Sequence, residues 1–272
     1  MPATIELSDS AMFELLTSAL EAYTVKHQES EDVAIETVSH LWGRVNKRAP
    51  FKCTINHVST ETSAIRARSS VRELQSSLAI KRDIANVFGE DFRHIGTFHT
   101  HPWLKNEDPK KAGSIEAVRK NKLYNLSPAD HRCEIGKPTV TVSGVGYSVA
   151  LVMTMFPMER ANDSRMPNEP DGLHEFSLGN IKVWLKGQVF IHKLKSEMSG
   201  EELVAFESYR LKVDTYSEDE MLAVPINTRI ESNFINTLGY YLKSFGRIDL
   251  DELTVNEYTS AKLVEKRELH KI

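Results

Sequence analysis

The chain has 272 residues, of which 40% are hydrophobic and 26% charged, with a formal net charge of −4 and a pI near 6.2. This length and composition predict a soluble globular protein with one sizeable core and room for a small appended domain. The charge balance excludes the basic field of a nucleic-acid-binding protein. The longest apolar stretch, residues 149–156, is too short to cross a membrane.

The cysteines and the first residues indicate the compartment. Cys53 and Cys133 are 80 positions apart without CxxC spacing, which argues against a disulfide framework and for a reducing environment. The N-terminal residues MPATIE do not resemble a secretory signal. These observations predict a cytoplasmic protein.

Strands and helices are predicted to alternate through the first part of the chain. A strand over Thr4–Leu7 precedes a helix, and further strands carry Glu36 and Phe51–Val58. A second long helix covers Glu73–Val87 and ends near Gly89. The first helix places these apolar residues on one face: Met12, Phe13, Leu16, Ala19, Leu20 and Tyr23. The second is predicted to turn four apolar residues inward: Leu74, Leu78, Ile84 and Val87. Helices interleaved with β-rich segments favour an α/β sandwich.

The chain changes character near Ser196. Residues 139–156 and 181–191 are rich in strand-forming residues, whereas Asp and Glu outnumber Lys and Arg by 15 to 9 from residue 197 onward. The patterns that begin at Thr228 and Thr254, each with Glu three positions later, predict two helices. We therefore predict a domain over residues 1–195 and a mostly helical extension over residues 196–272. The extension packs on the core, self-associates or binds a protein partner.

The segment His94–Pro102, with the sequence HIGTFHTHP, predicts a strand that presents a metal ion. Alternate side chains of a strand point to the same face, so His99 and His101 project together while Phe98 packs on the other side. Catalytic zinc takes three protein ligands and leaves a fourth position for water. Two of these ligands are present here.

Two further segments offer the remaining groups. Ser127 and Asp130 are three positions apart, so Ser127 can cap a helix and Asp130 supplies an oxygen ligand in its first turn. Because Ser before Pro is a common helix start, a purely capping role for Ser127 stays open beside a catalytic one. Glu36 opens an apolar run that ends at Gly43, and it is a candidate general base.

Glu with Gly seven positions later, then HTHP, then Ser-x-x-Asp, resembles the JAMM (MPN+) zinc metalloprotease pattern. The resemblance covers about residues 3–195 and implies the MPN fold, a cytidine-deaminase-like mixed sheet flanked by helices. It implies that His99, His101 and Asp130 bind Zn²⁺, that Glu36 activates the attacking water and that Ser127 stabilises the oxyanion. The implied reaction is hydrolysis of the peptide or isopeptide bond after the C-terminal glycine of ubiquitin or a ubiquitin-like protein.

The chain departs from that pattern in one place. Between His101 and Ser127 there are 25 residues, where family members have a short loop. The resulting insertion, about residues 103–126, carries six basic residues: Lys105, Lys110, Lys111, Arg119, Lys120 and Lys122. We expect it to hang over the metal and, with Trp103, to shape the entrance for the substrate's glycine tail.

Other classes of function stay open. One is a catalytically inactive or occluded MPN scaffold subunit that organises a protein complex, although scaffold members typically lack the ligands that this chain keeps. Another is an amidohydrolase barrel, which would place His-x-His near the N-terminus, so that position 99 fits poorly. In the occluded form, the insertion would cover the zinc until a partner arrives.

Overall fold

The structure is a computed structural model that describes residues 2–24, 34–66, 71–72, 74–89, 92–104, 108–160 and 164–242. The strands are β1 (Ala3–Leu7), β2 (Val38–Val45), β3 (Lys52–Thr60), β4 (Ile65–Arg66), β5 (Val71–Arg72), β6 (Arg93–Pro102), β7 (Val140–Val142), β8 (Val145–Pro157), β9 (Leu173–Leu178), β10 (Ile181–Leu194), β11 (Met221–Ile226) and β12 (Thr228–Glu231). The helices are α1 (Asp9–Thr24), α2 (Gln75–Val87), α3 (Pro109–Ala112), α4 (Ile115–Lys120), α5 (Pro128–Glu134), α6 (Gly200–Glu207) and α7 (Asn233–Leu242). In this part of the chain, no helix combines the length and apolar character needed to cross a membrane.

A mixed sheet flanked by helices organises the molecule, which confirms the predicted α/β class. Ten of the described strands form it, in the order β11-β10-β8-β6-β2-β3-β1-β12, with β7 beside β8 and β9 beside β10. β11 and β12 lie at opposite edges, yet Asn227 alone separates them in sequence. The Val189 N–H donates to the Thr228 hydroxyl at 3.0 Å. The two edges therefore meet, and the sheet is nearly barrel-shaped.

The main core lies between α1 and one face of the sheet. The hydroxyl of Ser8 accepts the Ala11 N–H at 3.1 Å and begins the helix. α1 then buries one stripe: Ala11, Met12, Leu15, Leu16, Ala19, Ala22 and Tyr23. The prediction that Phe13 belongs to this stripe is wrong, because Phe13 is 68% exposed. It follows Met12 by one position, which turns it about 100° around the helix, away from the sheet.

Helix α2 makes few apolar contacts with the sheet. Its buried residues are Leu78 and Ala85, which cluster with Trp42 of β2. The prediction that Leu74, Ile84 and Val87 turn inward is wrong. The helix and its ends expose these large apolar side chains: Leu74, Ile80, Ile84, Val87 and Phe88.

Polar contacts fix α2 instead. Ser77 and Lys81 donate to the fully buried carboxylate of Glu61 at 2.6 and 3.1 Å. The guanidinium of the adjacent residue, Arg82, lies 3.3 Å from Nδ1 of His94. Polar side chains of Glu61 and His94 thus lie under α2, and several apolar side chains of the helix are exposed in the described part of the chain.

The described chain after residue 195 adds strands to the same sheet. β11 pairs antiparallel with β10, and β12 pairs parallel with β1. The prediction that a helix opens at Thr228 is wrong, because residues 228–231 form β12 and α7 begins at Asn233. Thr228 and Ile230 are buried while Arg229 and Glu231 are exposed, which is the alternation of a strand. The predicted mostly helical extension thus contains strands, and the helix predicted from position 254 lies outside the described residues.

Candidate metal centre

Strand β6 presents both histidines of the His-x-His pair. It is fixed on both sides, because it pairs antiparallel with β2 and parallel with β8. Phe98 and Thr100 flank His99, point to the other face and are fully buried. His99 and His101 therefore share one face of the sheet, as predicted, and their side chains are 13% and 15% exposed.

Helix α5 presents the carboxylate. The hydroxyl oxygen of Ser127 accepts the Asp130 N–H at 3.2 Å, and the Ser127 N–H donates to Oδ2 of Asp130 at 2.6 Å. This reciprocal capping box confirms that Ser127 caps the helix, and it fixes the Asp130 side chain at the helix N-terminus. The cap uses a lone pair of the hydroxyl oxygen and leaves its O–H able to donate.

The three predicted ligand side chains converge. Nε2 of His99 lies 3.1 Å from Nε2 of His101, and Oδ1 and Oδ2 of Asp130 lie 3.3 Å from Nε2 of His99 and His101, respectively. Tetrahedral zinc binds nitrogen and oxygen at about 2.0–2.1 Å, so two ligands of one ion are about 3.3–3.4 Å apart. The spacing and the donor types therefore fit Zn²⁺. Among the described residues, no other group of three His, Cys, Asp or Glu brings its ligand atoms within 4.8 Å of one another.

Opposing effects act on the Asp130 carboxyl. Burial by itself raises its pKa, but hydrogen bonds with His101 and His99 outweigh burial and hold the pKa well below its usual range. Asp130 is therefore anionic at neutral pH. An ionised carboxylate is the form that binds a cation.

Glu36 lies beside the histidine strand. The Thr37 N–H donates to the Thr100 hydroxyl at 3.0 Å, and the Thr100 N–H donates to the Thr37 carbonyl at 3.2 Å. These two bonds come directly after the antiparallel pair of Val38 and His99, so they hold the Glu36 segment beside the C-terminal end of β6. Its side chain is half-buried. β2 itself begins at Val38, so Glu36 lies just before the strand that was predicted to carry it.

Trp103 belongs to a small core within the insertion. That core joins the insertion to β8, β9 and β10 and contains Ala112, Val118, Tyr124, Phe156, Leu173 and Trp184, with Trp103 packed against it. The ammonium group of Lys111 lies 5.0 Å from the centre of the Trp103 ring. The Trp103 carbonyl also accepts the Tyr23 hydroxyl at 2.8 Å. Trp103 is thus held by packing, and its role in shaping the entrance stays a prediction.

The insertion borders the metal centre on the β8 side. The Thr154 hydroxyl donates to the Leu123 carbonyl of the insertion at 3.3 Å, and Thr154 lies opposite His101 in the pairing of β6 and β8. Farther from the metal, Arg119 of α4 donates from two nitrogens to the fully buried carboxylate of Glu175, which also pairs with buried Lys182 at 3.1 Å. These contacts fix the insertion to the sheet.

Two residues that support the site received no assigned role from the sequence. Thr100 links the histidine strand to the Glu36 segment, as described above. His131 is fully buried, and its Nε2 lies 2.6 Å from the Ala223 carbonyl. Their positions in the sequence could have pointed to them, because Thr100 lies between two predicted ligands and His131 directly follows the third.

Three other histidines lie beside different residues. His40 is close to Glu61, His57 to Glu14 and His94 to Arg82.

A separate cavity of about 700 Å³ lies elsewhere, among β1, β12 and residues 169–174. Four carboxylates line it: Glu6, Glu169, Asp171 and Glu231. Lys52 pairs with Glu6, and His174 pairs with Glu169. None of the metal-centre residues lines this cavity.

Comparison with known proteins identifies no family for this chain. No family model matches the sequence, and no curated protein matches it. Among solved structures, it is similar to the solution structure of protein DSY2949 from Desulfitobacterium hafniense, a Northeast Structural Genomics Consortium target. The identity is 13% and the TM-score 0.34, over 84% of this chain and 94% of that chain. Similarity at this level carries no argument about fold or function.

Proposed function

We propose that the protein is a zinc-dependent isopeptidase or peptidase of the JAMM (MPN+) type, with the MPN fold. The observation that carries the proposal is the convergence of His99, His101 and Asp130 at 3.1–3.3 Å, with the Glu36 segment bonded to the histidine strand through Thr37 and Thr100. The order of these groups along the chain, with the base first and Ser127 three positions before Asp130, supports the same assignment. The mixed sheet flanked by helices is consistent with it.

His99, His101 and Asp130 would hold the ion through two imidazole nitrogens and a carboxylate, with a fourth position open for water. When bound, Zn²⁺ lowers the pKa of water to about 7 and polarises the scissile carbonyl. The side chains of His99, His101 and Asp130 are mostly buried, and Asp130 is ionised at neutral pH, which is the form that binds a cation. No other cofactor is needed for hydrolysis.

Glu36 and Ser127 would carry the proton and charge steps. Glu36 takes a proton from the attacking water, whose oxygen forms a bond to the carbonyl carbon. As the C–N bond breaks, Glu36 gives this proton to the leaving nitrogen, so that the products are an amine and a carboxylic acid, which then releases the second water proton and ionises. The Ser127 hydroxyl donates to the carbonyl oxygen while negative charge develops there. Both side chains are half-buried, which leaves each accessible to a bound peptide.

The proposed substrate is the bond after the C-terminal glycine of ubiquitin or a ubiquitin-like protein. The side chains of the site are only 13–21% exposed, so a folded surface cannot reach them, whereas an extended tail can. Glycine residues make such a tail narrow and flexible. A tail of this kind binds as an added strand beside existing backbone.

The replacement Glu36→Gln tests the proposal, because it removes the base and keeps the shape of the side chain. Zinc-loaded protein is incubated with linear and lysine-linked di-ubiquitin and with ubiquitin-like fusion proteins, and the released products are measured. We expect Glu36→Gln to keep its zinc and to lose about 10²–10⁴-fold in cleavage rate. Glu21→Gln, at an exposed position on α1, is the matched control and should cleave as the wild type does.

Two results would contradict the proposal. Cleavage by Glu36→Gln at the wild-type rate would remove Glu36 from the reaction. A zinc-loaded wild type that cleaves none of these substrates would favour the inactive or occluded scaffold instead.

A further inference from the structure

The helix that carries Asp130 is too short to fix its own position. α5 has seven residues, and isolated helices shorter than about 12–15 residues are marginal in water. The capping box orients the Asp130 carboxylate relative to Ser127, but it does not fix the helix relative to β6. The position of the third ligand therefore depends on the surface against which α5 packs.

His131 is the residue through which α5 packs. It is the buried residue of this helix and is fully inaccessible. Its Nε2 lies 2.6 Å from the Ala223 carbonyl, and since a carbonyl only accepts, Nε2 donates. The ring stacks on Phe190 at 5.0 Å and meets Phe206 and Tyr209 edge-on at 4.9 and 4.7 Å. One hydrogen bond and three aromatic contacts thus hold the His131 side chain. We call the four residues that make these contacts the His131 cage: Phe190, Phe206, Tyr209 and Ala223.

Most of this cage comes from the chain after residue 195. Phe206 lies on α6, Tyr209 follows that helix, and Ala223 lies on β11. A second link lies just beyond α5, where the Gly136 N–H donates to the Met221 carbonyl of β11 at 3.0 Å. The surface that receives α5 is therefore built largely by residues 200–226.

We propose that His131 is a positioning residue of the metal centre, and that residues 200–226 hold Asp130 against His99 and His101 through it. The proposal rests on the proposed function only in taking these three residues as metal ligands. Ligand distances in metal sites stay within about 0.2 Å of their standard values. A small tilt of α5 would therefore weaken metal binding before it unfolds the protein.

The replacement His131→Gln tests this role in the full-length protein. Glutamine keeps an N–H for the Ala223 carbonyl but loses the ring and its aromatic contacts. Zinc affinity is measured by competition with a chromophoric chelator, at a temperature where both proteins are folded. We expect binding about 10–100-fold weaker than in the wild type, the range typical when a partner behind a metal ligand is lost.

The matched control is His174→Gln on β9. His174 also lies within hydrogen-bond distance of a backbone carbonyl, that of Ile230 at 3.0 Å, but it lines the separate cavity beside β1 and β12. We expect its zinc affinity to equal that of the wild type. Cobalt(II) loading gives a second measurement, because visible absorption bands report ligand geometry. The bands should change in His131→Gln and stay unchanged in His174→Gln.

The milder replacement Phe206→Leu removes one aromatic contact of the His131 ring. It replaces His131→Gln in the zinc measurement if His131→Gln does not fold. Weaker zinc binding in either cage variant, with an unchanged His174→Gln control, supports the proposal. Wild-type affinity in a cage variant that has lost stability overturns it and leaves the metal site intact. A wild type that binds no zinc overturns both the metal site and this inference.

Discussion

The Asp130 carboxylate serves the helix cap and the candidate metal centre together. Oδ2 accepts the Ser127 N–H at 2.6 Å and also lies 3.3 Å from Nε2 of His101, while Oδ1 lies 3.3 Å from Nε2 of His99. Loss of the carboxylate therefore removes a helix cap together with a metal ligand. Asp130→Asn keeps a side-chain oxygen for the cap but loses the charge, so it separates the two effects.

Glu61 is a buried carboxylate with a structural role. Burial raises its pKa, but hydrogen bonds from Ser63, Ser77 and Lys81 outweigh burial and lower the pKa to about 2, from an ordinary value of 4.5. The ionised form thus stabilises the folded state. This contribution is complete above about pH 4.5 and is lost as the pH falls towards 2.

We therefore expect Glu61→Gln to be less stable than the wild type at pH 6, by roughly 3 kcal/mol if the whole shift is lost. The difference should narrow as the pH falls from about 5 towards 2, because the wild-type carboxylate becomes protonated. Urea unfolding at several pH values measures the difference in free energy of unfolding between the two proteins. Glu231→Gln, at an exposed position, is the control. A difference that stays constant with pH would contradict this account of Glu61.

At the scale of single elements, α2 carries both buried and exposed apolar side chains. Leu78 is 6% exposed and packs near Trp42, whereas Ile84, on the same helix, is 55% exposed. We expect Leu78→Ala to lower the free energy of unfolding by about 2–5 kcal/mol. Ile84→Ala should change it by less than about 0.5 kcal/mol. Urea unfolding measures both free energies. Equal losses in the two variants would contradict this account, because they would mean that Ile84 is as well packed as Leu78.

Local signals allowed several elements to be predicted. The stripe from Met12 to Tyr23, the alternation around Phe98 and the Ser127 cap each depend on neighbours within a few positions. The inward face of α2 was not predictable in this way, because the periodicity does not tell which apolar residues the sheet will cover. β12 was missed because Thr-x-x-Glu resembles a cap, whereas its pairing with β1 joins the two ends of the described chain.

At the scale of the whole molecule, the nearly closed sheet joins segments that are distant in sequence. β12 lies beside β1, and β11 lies beside β10, so the chain beyond the predicted boundary at residue 195 contributes to the same sheet as the metal centre. The His131 cage extends this link to α5. Sequence periodicity cannot predict such contacts because they depend on the path of the whole chain.

The candidate ligands were predictable as residue types in a particular order. What the sequence could not provide is their convergence across the 25 residues that separate His101 from Ser127. The ligands converge because the insertion packs its own small core, which contains Val118 and Tyr124, against β8 and β10. The chain thus leaves the sheet after Trp103 and returns to it at α5, next to β6.

The most direct measurement is the metal content of the purified protein by mass spectrometry, beside Asp130→Ala and Asp130→Asn. We predict about one zinc per wild-type chain and its loss from both variants, since each removes an anionic ligand. Asp130→Asn should stay folded, because it keeps the cap of α5. A wild type without zinc, or variants that retain it, would contradict the proposed metal centre.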